Sequence, residues 1–103
     1  EALLDRVRPD AILGANDLLA VGVLAALHER GLDVPGEVAL AGMDDSALCE
    51  LTWPSLTSVD LGSASRARIA AELLLDRIEE PDREPRLVGV DPRLVVRAST
   101  GAA

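Results

Sequence analysis

The polar residues of this sequence best placed to do chemistry fall at two junctions. Asn16-Asp17 follows the apolar run Ala11-Ile12-Leu13-Gly14-Ala15, and Asp44-Asp45 follows Val38-Ala39-Leu40-Ala41-Gly42-Met43. A short apolar run bounded by turn residues reads as a strand buried on both faces of a parallel sheet. Ligands of open α/β sheets lie outside the carboxyl ends of such strands. An amide and a carboxylate delivered there supply donors and acceptors together, a set able to fork the hydroxyls of a polyol or an exocyclic amine. Asn16 and Asp44 are therefore the first candidates for ligand contact, and Asp17, Met43, Asp45 and Trp53 are further possible ones.

Each candidate also has a plainer use. Asn16 suits a helix N-cap, where its side-chain oxygen accepts a bond from a free helix amide. Capping and ligand binding are compatible, since the amide nitrogen stays available. Asp44-Asp45 suits a solvated turn. Trp53, just before Pro54, suits either core packing or stacking on a flat ligand. Arg97, near the end of the last apolar run, suits either an ion pair or a reach into the cleft.

Catalytic readings lack parts. Paired acids after a strand can hold Mg²⁺ for phosphoryl transfer, as in response-regulator receivers, but that chemistry wants a lysine and this chain has none. His28 is the single histidine and lies near a helix C-terminus, where a charged imidazole suits the helix dipole. Cys49 has no second histidine or clear base to activate it. No phosphate-cradling glycine loop, serine elbow or zinc spacing occurs. The sequence thus predicts no catalytic residue, no metal ligands and no cofactor.

Composition narrows the partners. At 103 residues the chain makes at most one small domain or a piece of one. Its apolar fraction of 49% contains one Trp and no Phe or Tyr, which argues against modules that stack bases on aromatics. A net charge of −8 argues against direct contact with polyanionic DNA. No apolar run approaches the roughly 18 residues of a membrane span. One cysteine cannot form an internal disulfide, so nothing supports an oxidising compartment. Glu1 to Val7 reads as the end of a helix already under way, as if the chain were cut from something longer.

The elements that must position these residues alternate. A helix is expected from Asp17 to Arg30, apolar nearly all round, which implies burial on more than one side. One side can pack on a sheet and the other is a candidate subunit interface. Gly31 suits the left-handed position that ends a helix. A strand over Glu37–Gly42 follows, so helix, strand, helix and strand succeed one another as in a right-handed parallel crossover unit. Ser46 to Thr52 reads as weakly helical, Leu56 to Val59 as a short strand, and Ser63 or Ser65 to Glu80 as a helix with Ala67, Ala70, Leu74 and Ile78 in one stripe. Arg86–Val90 and Leu94–Arg97 read as strands, and the tail from Ala98 onward is expected to fray.

In order along the chain, Pro9-Asp10-Ala11-Ile12, Asn16-Asp17, Ala20, Gly22, Ala25-Ala26-Leu27, Gly31, Val34-Pro35 and Val38 through Asp45 form a running pattern. Pro54-Ser55-Leu56-Thr57-Ser58-Val59 and the closing Pro92-Arg93-Leu94-Val95-Val96-Arg97 with Ser99-Thr100 complete it. This pattern resembles the lactose-repressor/galactose-repressor (LacI/GalR) transcriptional regulators over nearly the whole chain. The resemblance implies an α/β, parallel-sheet periplasmic-binding-protein-like (type I) lobe, a fragment of a two-lobe effector domain. It assigns residues 1–59 to the C-terminal lobe, 60–85 to the N-terminal lobe, and 86–103 to returning strands and tail. It carries ligand contact onto Asn16 and Asp44. It also places a homodimer surface on the helix at 17–30 and the segment 46–53, hence on Leu18, Val21, Leu24, Ala25, Leu48, Cys49 and Leu51.

The implied effector is a sugar-like or nucleoside-like small molecule, and the implied compartment the cytoplasm, with no membrane contact. Operator DNA would be met only through an N-terminal headpiece that this sequence does not contain. Met43 departs from the family's usual Phe or Tyr and alters one wall of the expected pocket. With much of the N-terminal lobe missing, the helix at 63–80 keeps an unpartnered apolar stripe, and the chain is expected to self-associate. The rival reading is a secreted sugar-binding protein of a transporter, which shares the fold. The closing Arg-x-Ser-Thr and the second apolar face of the helix at 17–30 favour the regulator.

Overall fold

The computed structural model describes residues 2–101, and each of its elements begins and ends on a local signal. After α1 (Ala2–Arg6) and β1 (Ala11–Leu13), α2 (Asp17–Glu29) starts where Asn16 leaves the extended conformation. Asn16 Oδ1 accepts from the Leu19 amide at 2.8 Å, satisfying one of the free donors of the first turn. The helix stops at Gly31, whose φ of 69° few side chains tolerate. There the Gly31 and Leu32 amides return to the His28 and Leu27 carbonyls at 3.0 and 2.9 Å, a Schellman closure.

The remaining elements are β2 (Ala39–Met43), α3 (Leu48–Leu51), β3 (Thr57–Asp60), α4 (Ser63–Glu79), β4 (Arg93–Val95) and a 3₁₀ turn at Ala98–Thr100. They form one sheet in the order β1-β2-β3-β4, with β1, β2 and β3 parallel and β4 antiparallel to β3. This is the expected α/β arrangement. Ile12 pairs with Leu40, Leu13 with Ala41, Gly42 with Ser58 and Met43 with Val59.

That register sorts the side chains. Leu40 and Gly42 face α2, and the core is built from Ala20, Leu24 and Leu27 of α2 with Leu32, Val34, Val38, Leu40, Cys49 and Leu56. Leu27, Leu40 and Leu56 are essentially inaccessible, each contributing about 1.5–3 kcal/mol of apolar burial. The strands were expected to be buried on both faces. Instead β1 and β2 are covered on one: Leu13 is 64% exposed, and Ala39, Ala41 and Met43 are half-buried.

Two further expectations are revised, while the apolar stripe of α4 is open as expected. Arg86–Val90 forms no strand, and Leu87 is fully exposed, with no ladder beside it among the described residues. The tail does not fray at its start: Ser99 is buried, its hydroxyl bonds the Leu40 carbonyl, and the Thr57 amide donates back to that hydroxyl at 2.8 Å. α4 buries none of its residues, and Leu74, Leu75 and Ile78 are 61%, 59% and 65% exposed. It draws the molecule out to 59 × 29 × 18 Å.

Candidate functional site

The site is assembled where β1 and β2 end. Leu13 pairs with Ala41, and the Gly14 amide donates to the Ala41 carbonyl at 2.8 Å. Asn16 lies three residues past Leu13 and Asp44 three past Ala41, so both follow the carboxyl ends of paired parallel strands. Asn16 spends its oxygen on the helix cap and keeps its amide nitrogen. Asp44 is exposed and its carboxylate holds no hydrogen bond among the described residues. Met43, half-buried, is the strand residue just before it.

The turn that presents Asp44 is unusual. Asp44 and Asp45 have φ values of 112° and 50°, a conformation costing L residues about 1–3 kcal/mol each. Three successive amides hold it. The Asp44 amide donates to the Val59 carbonyl at 2.9 Å, the Asp45 amide to Ser58 Oγ at 2.9 Å, and the Ser46 amide to Asp17 Oδ2 at 2.6 Å. Asp45 Oδ1 also accepts from Arg97 Nη2 at 2.7 Å in an ion pair with little exposure on either side. A second Arg97 nitrogen donates to the Leu56 carbonyl at 2.9 Å. Of the two uses open to Arg97, the ion pair is the one adopted.

Asp17 anchors this turn from α2. Its carboxylate accepts from Ser58 Oγ at 2.6 Å, the Ser46 amide and Cys49 Sγ at 3.2 Å, and it is 2% exposed. Burial pushes its pKa up, but the bonds from Ser58 and Ser46 outweigh that and hold the carboxyl below its ordinary value. Burial, with the Asp17 carboxylate beside it, pushes the Cys49 thiol up. Gly42 leaves the room Asp17 occupies, for a Cβ there would stand 2.5 Å from Asp17 Oδ1 and 3.3 Å from Ala20 Cβ.

Several expected site residues therefore take other parts. Asp17, expected as a possible ligand contact, is 2% exposed and its carboxylate is occupied by Ser58 Oγ, the Ser46 amide and Cys49 Sγ. Asp45 is engaged by Arg97. Trp53 does not plug the core. It is 87% exposed and borders a cavity of about 480 Å³ with His28, Leu32, Val34 and Pro54, at the amino ends of β2 and β3. Of the residues expected on a dimer surface, Leu24 and Cys49 are buried in the lobe's own core. Leu18 and Leu51 are 70% and 78% exposed, Ala25 is exposed, and Val21 and Leu48 are half-buried.

Ser58 was not foreseen. A serine in a short β-branched strand carries no mark of its role until the register sets it opposite Gly42 and beneath Asp17. Among the described residues no group of three or more His, Cys, Asp or Glu is placed to hold a metal ion, and no helix is long and apolar enough to cross a membrane.

Comparison with known proteins agrees with this architecture. The periplasmic binding protein-like domain family matches residues 1–100. The HTH-type transcriptional regulator GalR of Lacticaseibacillus casei is 38% identical over 92 residues, covering 89% of this chain and 28% of that protein. A putative LacI-family transcriptional regulator from Sanguibacter keddieii superposes with a TM-score of 0.91 at 49% identity, over 97% of this chain and 38% of its own. The transcriptional regulator CelR in complex with cellobiose superposes with a TM-score of 0.90 at 39% identity, over 94% of this chain and 30% of its own. The chain thus spans less than a third of the curated regulator's length. With a family match over nearly all its residues and regulators of this type superposing throughout, the chain belongs to the periplasmic binding protein-like family, as part of a LacI/GalR-type effector domain.

Proposed function

We propose that this chain is the effector-binding and dimerisation portion of a ligand-responsive, DNA-binding transcriptional regulator that senses a sugar-like or nucleoside-like molecule. The observation that carries the reading is the pair at the strand ends. Asn16, its amide nitrogen unbonded, and Asp44, its carboxylate unbonded, among the described residues, follow adjacent parallel strands, where α/β folds receive ligands. The cellobiose held by the CelR relative supports a sugar-like effector. The regulator names of the matched relatives favour this reading over a transport receptor. The chemistry is binding without turnover.

In this reading residues 1–59 form the C-terminal lobe, 60–85 lie in the N-terminal lobe, and 86–103 return and close the chain. The isolation of α4 supports the division. Leu18, Ala25 and Leu51 project from α2 and α3 toward a second copy, with Val21 and Leu48 at the margin. The effector would favour one lobe arrangement only by its differential affinity for the two. The shift would pass across the dimer, in the cytoplasm, to a DNA-binding headpiece outside this chain.

The test is calorimetric titration of the full-length protein with cellobiose, ribose and adenosine. Wild type should bind at least one. Asp44→Asn should weaken that binding by roughly 10- to 100-fold, the worth of a hydrogen bond to a charged group. Asn16→Ser separates cap from contact: serine caps as well as asparagine, so stability should hold while affinity falls. Unchanged affinity in both variants would remove Asn16 and Asp44 from the ligand site.

A further inference from the structure

We infer that Ser58, Asp17 and Arg97 are positioning residues whose joint task is to hold the Asp44 carboxylate at the end of β2. The inference rests on Asp44 being an effector contact, as proposed above. Nothing fixes Asp44 through its own side chain, which makes no hydrogen bond among the described residues. Its placement comes from its backbone and its neighbours. Two consecutive aspartates with positive φ form a turn that relaxes unless its surroundings over-determine it.

The surroundings do so as a closed ring. The Asp45 amide donates to Ser58 Oγ, the Ser58 hydroxyl donates to Asp17 Oδ1, and Asp17 Oδ2 accepts from the Ser46 amide. Ser58 is the pivot: one hydroxyl accepts from the turn and donates to the helix start. Asp17 directly follows Asn16, so one buried carboxylate ties the helix cap that carries the first candidate contact to the turn that carries the second. Arg97, 52 residues further along, fastens Asp45 from the returning tail. A contact held this way binds without first ordering its turn, and loss of the ring returns that ordering cost to the binding step.

Ser58 is the position to test, since Asp17 variants remove a buried charge and risk the fold. Amide hydrogen exchange is followed on the full-length protein without ligand for Ser58→Ala and Ser58→Thr. Ser58→Ala should speed exchange at Asp45 and Ser46 tenfold or more. The Ala39 amide, bonded to the Asp10 carbonyl at the far end of β2, should be unchanged, and Ser58→Thr should restore protection. Equal acceleration at all three amides, or at none, would overturn the inference. A cellobiose titration runs beside it: if wild type binds, Ser58→Ala should bind tenfold more weakly and Ser58→Thr as wild type, and equal affinity in Ser58→Ala would also overturn it. Wild type that binds no cellobiose counts against the sugar reading alone, while the exchange result still decides whether the ring holds the turn.

Discussion

Replacing Asp17 tests the centre of the structure most directly. The carboxylate is 2% exposed and accepts from Ser58 Oγ, the Ser46 amide and Cys49 Sγ. Asp17→Ala leaves three donors without an acceptor, two of them buried and the Ser46 amide part-buried. Each orphaned group costs about 1–3 kcal/mol, the weak thiol donor least, so a loss of about 3–5 kcal/mol is expected. That is a large share of the roughly 5–15 kcal/mol that holds a native protein together. Asp17→Asn keeps the shape and one acceptor, so it should lose about half as much. The pH dependence separates charge from packing. The native carboxyl lies below its ordinary value of 3.8, so its stabilisation is complete above about pH 3.8 and is lost as pH falls through the native value. Urea unfolding of wild type, Asp17→Asn and Asp17→Ala from pH 7 to pH 3 should therefore show the gap between wild type and Asn closing at the acid end. An Asp17→Ala variant within 1 kcal/mol of wild type at pH 7, or a gap to Asn that does not change with pH, would refute the account.

Three other outcomes follow from the same geometry. Gly42→Ala should cost about 1–3 kcal/mol in urea unfolding, because its Cβ meets the bonded Asp17 oxygen and Ala20 at once. Cys49, buried with its thiol pKa raised, should resist alkylation in the native state at pH 8 and react at the rate of unfolding; mass spectrometry over time reads this. The 103-residue chain should self-associate in sedimentation at high concentration through the open stripe of α4, and Leu74→Glu with Ile78→Glu should reduce that association. A profile that is strictly monomeric at every concentration would remove the last expectation.

Much of this protein is local, and local features are legible in sequence. Asn16 and Gly31 bound α2 because a cap and a left-handed stop depend only on a few neighbouring residues. The apolar runs marked β1 and β2, and their ends marked Asn16 and Asp44. Apolar residues around all of α2 did not say which of them the sheet would bury: Leu24 turns inward and Leu18 is left exposed.

Register and chain return were decided only in three dimensions. Ser58 becomes the acceptor for Asp45 because β3 pairs Ser58 with Gly42, and Arg97 meets Asp45 because the chain comes back after α4. The same return buries Ser99 under Leu40 and Thr57, where a small polar tail reads as frayed. Asp17 and Asn16 are neighbours in sequence, yet one step along the helix leaves Asp17 2% exposed, where bonds from Ser58 and Ser46 outweigh its cost of desolvation. Trp53 moved furthest from expectation, since its place at the amino end of β3 follows from strand direction and no local pattern encodes that end of the sheet. Sequence named the residues at the strand ends because backbone chemistry is local. Which of them stay open and which are tied to one another was set by hydrogen bonds between residues 13 to 52 positions apart.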